Sequence, residues 1–461
     1  MKLKKFTVFT ILAAILSCFF PVSVSAAEYS VTNVTDIQKH ITGLISLSDE
    51  KQKEYDFDND GLLSITDSTY LQKFLANLEP EKTTINVVDF GAVGDGVTDD
   101  TVAFKNCIKT ANGRPVLIPS GTYVVNHCSF GENESGYPVN LIGIGNPVIK
   151  RTKLSDNTPN ESKSRSMFLF RNVPSAEITG ITFDSCRDDF IYEPTGEWLG
   201  TAILYFFGNT SNINISDCIF KNCSREAVHI KGNFNNVTMR NNNLKNISAH
   251  FWSRGGNGKN FIYENNISEN GRTRGIEFDT EDDYKVSDIK IRNNKFVNLC
   301  GYGVLLQNCE NAVIDNNYYS MATKLNQHAV SKQDKLCQYF VFMGCTSNKK
   351  SCKDIKITNN HGQVNRVVSI QKSNNVDAAE RDMMFDDISI SNNDFSATSF
   401  YIFASNTSNL VVDNCFGKSE KDFLLLSNSD NVSILNNNIS ANSFVKGTCS
   451  NLTITGNSWQ T

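Results

Sequence analysis

The chain has 461 residues, with 49 acidic and 44 basic side chains, a formal charge of −5 and 40% hydrophobic residues. That length suits one large domain plus a small module, and the acidic balance excludes the basic face that nucleic-acid binding needs. After the first residues, no stretch is apolar and long enough for a membrane-spanning helix.

Residues 1–26, "MKLKKFTVFTILAAILSCFFPVSVSA", read as a signal peptide. Lys2, Lys4 and Lys5 form a charged start, an apolar stretch follows, and Val24-Ser25-Ala26 supplies small residues for cleavage. A lipoprotein with Cys18 acylated is the competing reading. The signal-peptide reading implies a secreted, extracellular protein. Removing the three lysines takes the charge from −5 to −8. Cys186, Cys223 and Cys300 follow "FDS", "FKN" and "VNL" at matching repeat positions. They read as small buried hydrophobes rather than disulfides, and no spacing of cysteines and histidines suits zinc.

A module spans residues 27–78. Residues 31–44 align with 65–78 at an offset of 34, with identical pairs such as Thr35/Thr69, Gln38/Gln72 and Lys39/Lys73. Apolar Ile37, Ile41 and Leu44 recur as Leu71, Leu75 and Leu78, at helical spacing. Ahead of the second copy, "DFDNDGLLSITD" has the spacing of a calcium loop. Asp56, Asp58, Asp60, Ser64 and Asp67 offer side-chain oxygens, Leu62 its carbonyl, and Gly61 the sharp turn. The first copy keeps its helix and lacks the loop. The unit resembles the dockerin module of cellulosomal enzymes, which implies one bound Ca2+ and attachment to a scaffold cohesin. A calcium-stabilised cap without a partner is the alternative. A polar linker, 79–84, follows.

From residue 85 the style changes. "INVVDFGAVGDGVTDDTVAF" predicts a strand at 86–89, a glycine loop and a helix over about 100–111, with two strands in "PVLIPSGTYVV". Asp95, Asp99 and Asp100 read as loop and cap residues. Segments such as "TMRNNNL", "IYENNIS", "KIRNNKF", "VIDNNYY" and "SILNNNI" then recur, each a strand followed by an asparagine turn. Stacked repeats of this kind, with asparagines satisfying one another, predict an all-β right-handed parallel β-helix of about ten or more coils over 85–461. The opening motif resembles the pectin-degrading β-helix families, which include polygalacturonases, rhamnogalacturonases and the wider pectate lyase superfamily. In those the helix caps the open end of the stack.

A second strand precedes each turn: "AILYFFG", "AVHIKG", "HFWSRG", "GIEFDT", "GVLLQN" and "FVFMG". Side chains alternate across a strand, so Val228 and Ile230 point in while His229 and Lys231 point out. Stacking predicts two outward columns. One runs Tyr205, His229, Trp252, Glu277, Leu305, Phe342, and the other Phe207, Lys231, Arg254, Asp279, Gln307. Long loops flank these coils, and the outward residues turn bland toward the C-terminus.

The candidate catalytic residues are Glu277, Asp279, Lys231, Arg254 and His229. Glu277 and Asp279 have Cα atoms roughly 6.7 Å apart, a spacing open to either retaining or inverting glycosidase chemistry. Lys231 and Arg254 suit a uronate carboxylate, or lower the ionisation of Asp279 so that Glu277 donates the proton. Trp252, Tyr205 and Gln307 are candidate substrate-binding residues. Polygalacturonases carry "NTD", "DD", "GHG" and "RIK" in successive coils. That series is absent here, so no family catalytic residue carries over and the site rests on parity and stacking. The leading expectation is a secreted, monomeric, cellulosome-associated hydrolase of a pectic cell-wall polysaccharide. A lyase or uronate epimerase using Lys231 or Arg254, with calcium on Glu277 and Asp279, and a non-catalytic binding β-helix are the alternatives.

Overall fold

The computed structural model describes residues 29–460 except 57–62, 77–83, 132–135, 137, 153–165, 187–201, 272–273, 281–282, 324–337, 346–350 and 373–383. The expected signal peptide over 1–26, most of the expected linker, Asp58, Asp60 and Leu62 therefore lie outside the described residues, as do large parts of the expected long loops. The chain divides into two compact units, Met1–Thr84 and Ile85–Thr461. Among the described residues no helix is long and apolar enough to cross a membrane.

The first unit contains helices α1 (Val31–Ile41), α2 (Asp49–Tyr55) and α3 (Ile65–Leu75). The duplicated helices recur at the expected offset. Val34, Ile37, Tyr55 and Leu71 form their shared core. Helix α2 was not expected from the sequence. Ser48 caps it, accepting a hydrogen bond from Lys51 N, and Asp49 and Glu50 sit in its positively polarised first turn. Its Tyr55 hydroxyl accepts from Asn33 Nδ2 at 2.8 Å, tying it to α1. The apolar spacing overstated the core, because α1 stops at Ile41 and Gly43 takes a left-handed backbone (φ 73°). Ile41 and Leu44 are exposed. Asp67 is buried in the first turn of α3, its Oδ2 accepting from Ser64 N at 2.8 Å.

The second unit is a right-handed parallel β-helix. Its strands pair with those one coil away, in parallel throughout. One stack begins at Ile85–Asn86, passes through Val116–Ile118, Val139–Gly143 and Ala176–Thr179, and continues to Ser443–Thr455. Inward residues of successive coils merge into one continuous apolar core, except in the last coil, where Leu452, Ile454 and Trp459 are exposed. Helix α4 (Thr101–Ala111) closes the N-terminal end, burying Phe104, Cys107 and Ile108. Asp100 holds the end together, its carboxylate accepting from Val93 N at 2.7 Å and Val124 N at 3.2 Å. Asp95 and Asp99 likewise accept backbone N–H groups of their own turns. The expected strand at 86–89 is instead a two-residue strand followed by a 3-10 turn, Val87–Phe90. Asn86 causes this, its side chain capping the turn through Val88 N.

The asparagine turns set the coil spacing. The first asparagine of each pair adopts the left-handed region, as at Asn241, Asn265, Asn293 and Asn316, where asparagine is tolerated better than most residues. The second points inward and joins a buried ladder. Asn266 Oδ1 accepts from Asn242 N, Asn294 Oδ1 from Asn266 N, and the series continues through Asn317 and Asn360 to Asn393 at 2.8–3.0 Å. Each inward amide also donates to a strand carbonyl, as Asn294 does to Tyr263 O at 2.9 Å. Cysteines take the same place at two steps, where Cys218 N and Cys415 N donate to Asn242 and Asn437.

Replacing Asn294 by alanine strips the acceptor from Asn266 N and a donor from Tyr263 O inside the core, while Asn317 Oδ1 keeps its bond from the backbone of residue 294. At about 1–3 kcal/mol for each unsatisfied buried group, Asn294→Ala should destabilise the domain by about 2 kcal/mol or more. Asn294→Cys should cost less, because two natural steps already use cysteine. Denaturant unfolding of the two variants measures the difference.

Candidate functional site

Six adjacent strands carry the outward columns: β1 (Leu204–Phe207), β2 (Ile219–Lys231), β3 (Asn243–Arg254), β4 (Arg274–Asp279), β5 (Tyr302–Gln307) and β6 (Tyr339–Cys345). Their register aligns Tyr205, His229, Trp252, Glu277, Leu305 and Phe342 in one column. Phe207, Lys231, Arg254, Asp279 and Gln307 align in the next. Val228 and Ile230 are fully buried between them. Alternation and coil stacking therefore place these residues in the expected rows.

Depth differs from expectation. Lys231 and Arg254 are exposed, and Tyr205, Trp252 and Asp279 are half-buried. His229, Glu277 and Gln307 are buried, at 8%, 3% and 8% exposure. A strand's parity fixes which side a residue faces but not how far its neighbours cover it. His229 is covered because its ring is sandwiched between Tyr205 at 4.6 Å and Trp252 at 4.4 Å, nearly parallel to both. Burial, aided by the cations Arg225, Lys231 and Arg254, pushes its pKa down to about 3, so the ring is neutral at ordinary pH.

A third row was missed. Glu226 and Arg274 precede His229 and Glu277 by three residues, and each turns back onto its successor. Glu226 Oε2 lies 3.8 Å from His229 Nδ1, and Arg274 pairs with Glu277. Register connects Glu226, Ala249, Arg274 and Tyr302 along one line, and Tyr302 meets Tyr339 at 5.7 Å. Two-residue alternation would send Glu226 and Arg274 inward with Val228 and Ile276. The register shifts before Glu226, between Cys223 and Glu226, and Arg274 is the first residue of its strand. The available signal was the repeated three-residue spacing of polar or aromatic residues ahead of the first column.

These rows create an unusual electrostatic setting. Glu277 is held by Arg274, yet burial outweighs that pairing and pushes its pKa up to about 7, with Asp279 and Glu226 adding to the rise. Burial also raises the pKa of Glu226, against the pull of Arg225, whose Nε lies 3.2 Å from Glu226 Oε1. Arg225 and Arg254 both lie against the Trp252 ring, at 5.7 and 5.8 Å. Within this cluster Glu226 Oε2, His229 Nε2 and Trp252 Nε1 are buried and make no hydrogen bond among the described residues. Buried polar groups are ordinarily satisfied, so three such atoms together mark a place where a ligand or water completes the site. The cluster combines a protonatable acid, a nearby second carboxylate, two exposed cations and an aromatic stack.

The C-terminal continuation of the face is not bland. Strand β7 (Arg366–Lys372) and strand β8 (Ile402–Ser405) extend the first column through Ser369 and Phe403. Arg366 sits three residues before Ser369, in the third row.

The family described as "Rhamnogalacturonase A/epimerase, pectate lyase-like" matches residues 84–324, which include Glu226 through Gln307. Among curated proteins, the chain is 26% identical to the mannuronan C5-epimerase AlgE1 of Azotobacter vinelandii over 238 residues, covering 48% of this chain and 16% of that protein. It is 35% identical to the polygalacturonase ADPG1 of Arabidopsis thaliana over 107 residues, covering 22% of this chain and 25% of that protein. The chain thus spans no more than a quarter of either relative's length. Among solved structures, the catalytic unit of a GH87 alpha-1,3-glucanase from Streptomyces thermodiastaticus aligns with a TM-score of 0.51 at 16% identity, over 82% of this chain and 69% of that one, a likeness of fold. With the family match reaching over half of the chain and through the whole polar cluster, this protein belongs to the rhamnogalacturonase A/epimerase, pectate lyase-like family.

Proposed function

We propose that the β-helix unit is a glycoside hydrolase acting on an acidic, pectic-type polysaccharide. The observation that carries this reading is Glu277, a buried glutamate that keeps its proton to about pH 7 and lies two residues from Asp279 on the same strand. In this proposal Glu277 protonates the glycosidic oxygen as the C1–O bond breaks. Asp279 either takes a proton from the water attacking C1, or attacks C1 itself and is later released by water. Lys231 and Arg254, exposed one coil apart, hold uronate carboxylates, and Trp252 offers its ring to a sugar face. The relationship to a polygalacturonase supports the substrate class.

The relationship to mannuronan C5-epimerases favours a second reading. Lys231 or Arg254, as the neutral base, would then remove the C5 proton of a uronate; a proton returned to the opposite face gives the epimer, and loss of the C4 oxygen substituent instead gives the unsaturated sugar.

We further propose that the protein is exported through residues 1–26 and acts as a monomer. The N-terminal unit would bind one Ca2+ through Asp56, Asp58, Asp60, Leu62 carbonyl, Ser64 and Asp67, and would attach the enzyme to a scaffold cohesin. The buried Asp67 carboxylate at the start of α3, a hard oxygen donor, supports the metal. Exposed Ile41, Leu44 and Ile45 offer apolar surface to a partner.

Glu277→Gln and Asp279→Asn should each reduce release of reducing ends from polygalacturonate by about 10²–10⁴, the usual worth of acid–base help. Substrate affinity should fall much less. Lys231→Ala and Arg254→Ala should mainly weaken binding, and added salt should reproduce part of that loss. A product absorbing as an unsaturated uronate, abolished by Lys231→Ala or Arg254→Ala, decides for the second reading. Binding with no bond cleavage and no epimerisation decides against both.

Turnover should fall as pH rises above about 7, where Glu277 loses its proton. The same shift affects folding. The folded state holds this proton more tightly than an ordinary glutamate near 4.5, so the associated stability is fully present below about 4.5 and is lost as pH rises through about 7. The melting temperature should decline across that window, and decline less in Glu277→Gln.

Calorimetry on the full chain should detect one Ca2+, and Asp58→Ala or Asp67→Ala should abolish it. An unchanged isotherm in both variants counts against the proposed ligand set.

A further inference from the structure

Arg366 presents a half-buried guanidinium in an aromatic setting. Its Cζ lies 4.9 Å from the Tyr339 ring, 5.3 Å from Phe400 and 5.4 Å from Phe403. Nη1 donates to Ser369 Oγ at 3.3 Å, while Nε is buried without a hydrogen-bond partner. No carboxylate among the described residues forms an ion pair with it. Lys421 adds a second cation, 5.6 Å from the Phe400 ring. The three rings are each partly exposed.

This cluster shares the outer face with Glu277 and follows it along the stack. Register runs from Glu277 to Leu305, Phe342 and Ser369, the coil of Arg366, and then to Phe403. Three coil steps, at ~4.8 Å each, put the Arg366 coil about 14 Å from that of Glu277, so a chain lying along the face crosses both. The chemistry suits one kind of unit. Rings bind the apolar face of a sugar, and a cation without a carboxylate partner, held where water is scarce, favours an anion.

We propose that Arg366, Tyr339, Phe400 and Phe403, with Lys421 at the edge, form a distal subsite that binds a uronate unit of an acidic polysaccharide. Arg366 takes the carboxylate and the rings take the sugar face. The subsite rests on the reading of the Glu277 cluster as acting on such a polymer. It deepens that reading by making recognition depend on chain length and on a charge several units from the reacting bond.

The test uses the full chain carrying Glu277→Gln, so that polymer is not consumed, and measures affinity for polygalacturonate, alginate and neutral dextran. Adding Arg366→Ala should weaken binding of an acidic polymer about tenfold, Arg366→Lys should restore part of it, and Phe403→Ala should weaken it as well. Dextran binding should not respond to Arg366→Ala. Melting curves matching the parent exclude a folding defect, and if Arg366→Ala melts early, Arg366→Lys and Lys421→Ala carry the comparison. Equal affinity of folded Arg366 variants and parent for both acidic polymers overturns the subsite and leaves the proposed function standing. An equal loss on dextran overturns carboxylate recognition. If the Glu277→Gln parent binds neither acidic polymer, the proposed function fails, and the subsite with it.

Discussion

Coil-to-coil register is the constraint on which the outer face depends. A parallel β-helix places functional groups by stacking residues distant in sequence, and a slip of one residue would exchange its inner and outer faces. The buried asparagine ladder opposes such a slip. Each inward amide ties its own coil to the next and to a strand carbonyl, so a shifted coil would leave several buried polar groups without partners. His229, Trp252 and Glu277 come from three different strands, and their alignment follows from this backbone arrangement rather than from direct bonds between strands' side chains.

The polar cluster lies just beside a core that would otherwise exclude it. Two carboxylates and two arginines, Glu226 with Arg225 and Glu277 with Arg274, pack between the inner apolar face and the outer one. There solvent is reduced enough to shift Glu277 and His229 in opposite directions. Burial disfavours charge on either group, so the carboxyl keeps its proton and the imidazole rejects one. One environment thereby yields an acid that stays protonated and a ring that stays neutral.

Much of this was legible in the sequence. Alternation within strands and the recurrence of asparagine turns were enough to align Tyr205 with His229, and Glu277 with Leu305, one coil apart. The third row was not legible by the same rule, because Glu226 follows a register shift and Arg274 opens its strand, so two-residue periodicity does not place them. Nor was depth, since the exposure of Gln307 depends on packing by other coils. Helix α2 was missed because its sequence, "DEKQKEY", lacks an apolar stripe and owes its position to Ser48 and to the contact between Tyr55 and Asn33.

The two cysteines within the asparagine ladder have a chemical consequence. Burial pushes the thiol of Cys218 up to about 12 and that of Cys415 up to about 11. Only the thiolate reacts readily with alkylating agents or oxidants, and these sulfurs are buried in turns between strands, where adjacent coils would have to separate before a reagent could arrive. Their labelling therefore reports the opening of the coil stack at two separate heights, a built-in clock for how the solenoid comes apart.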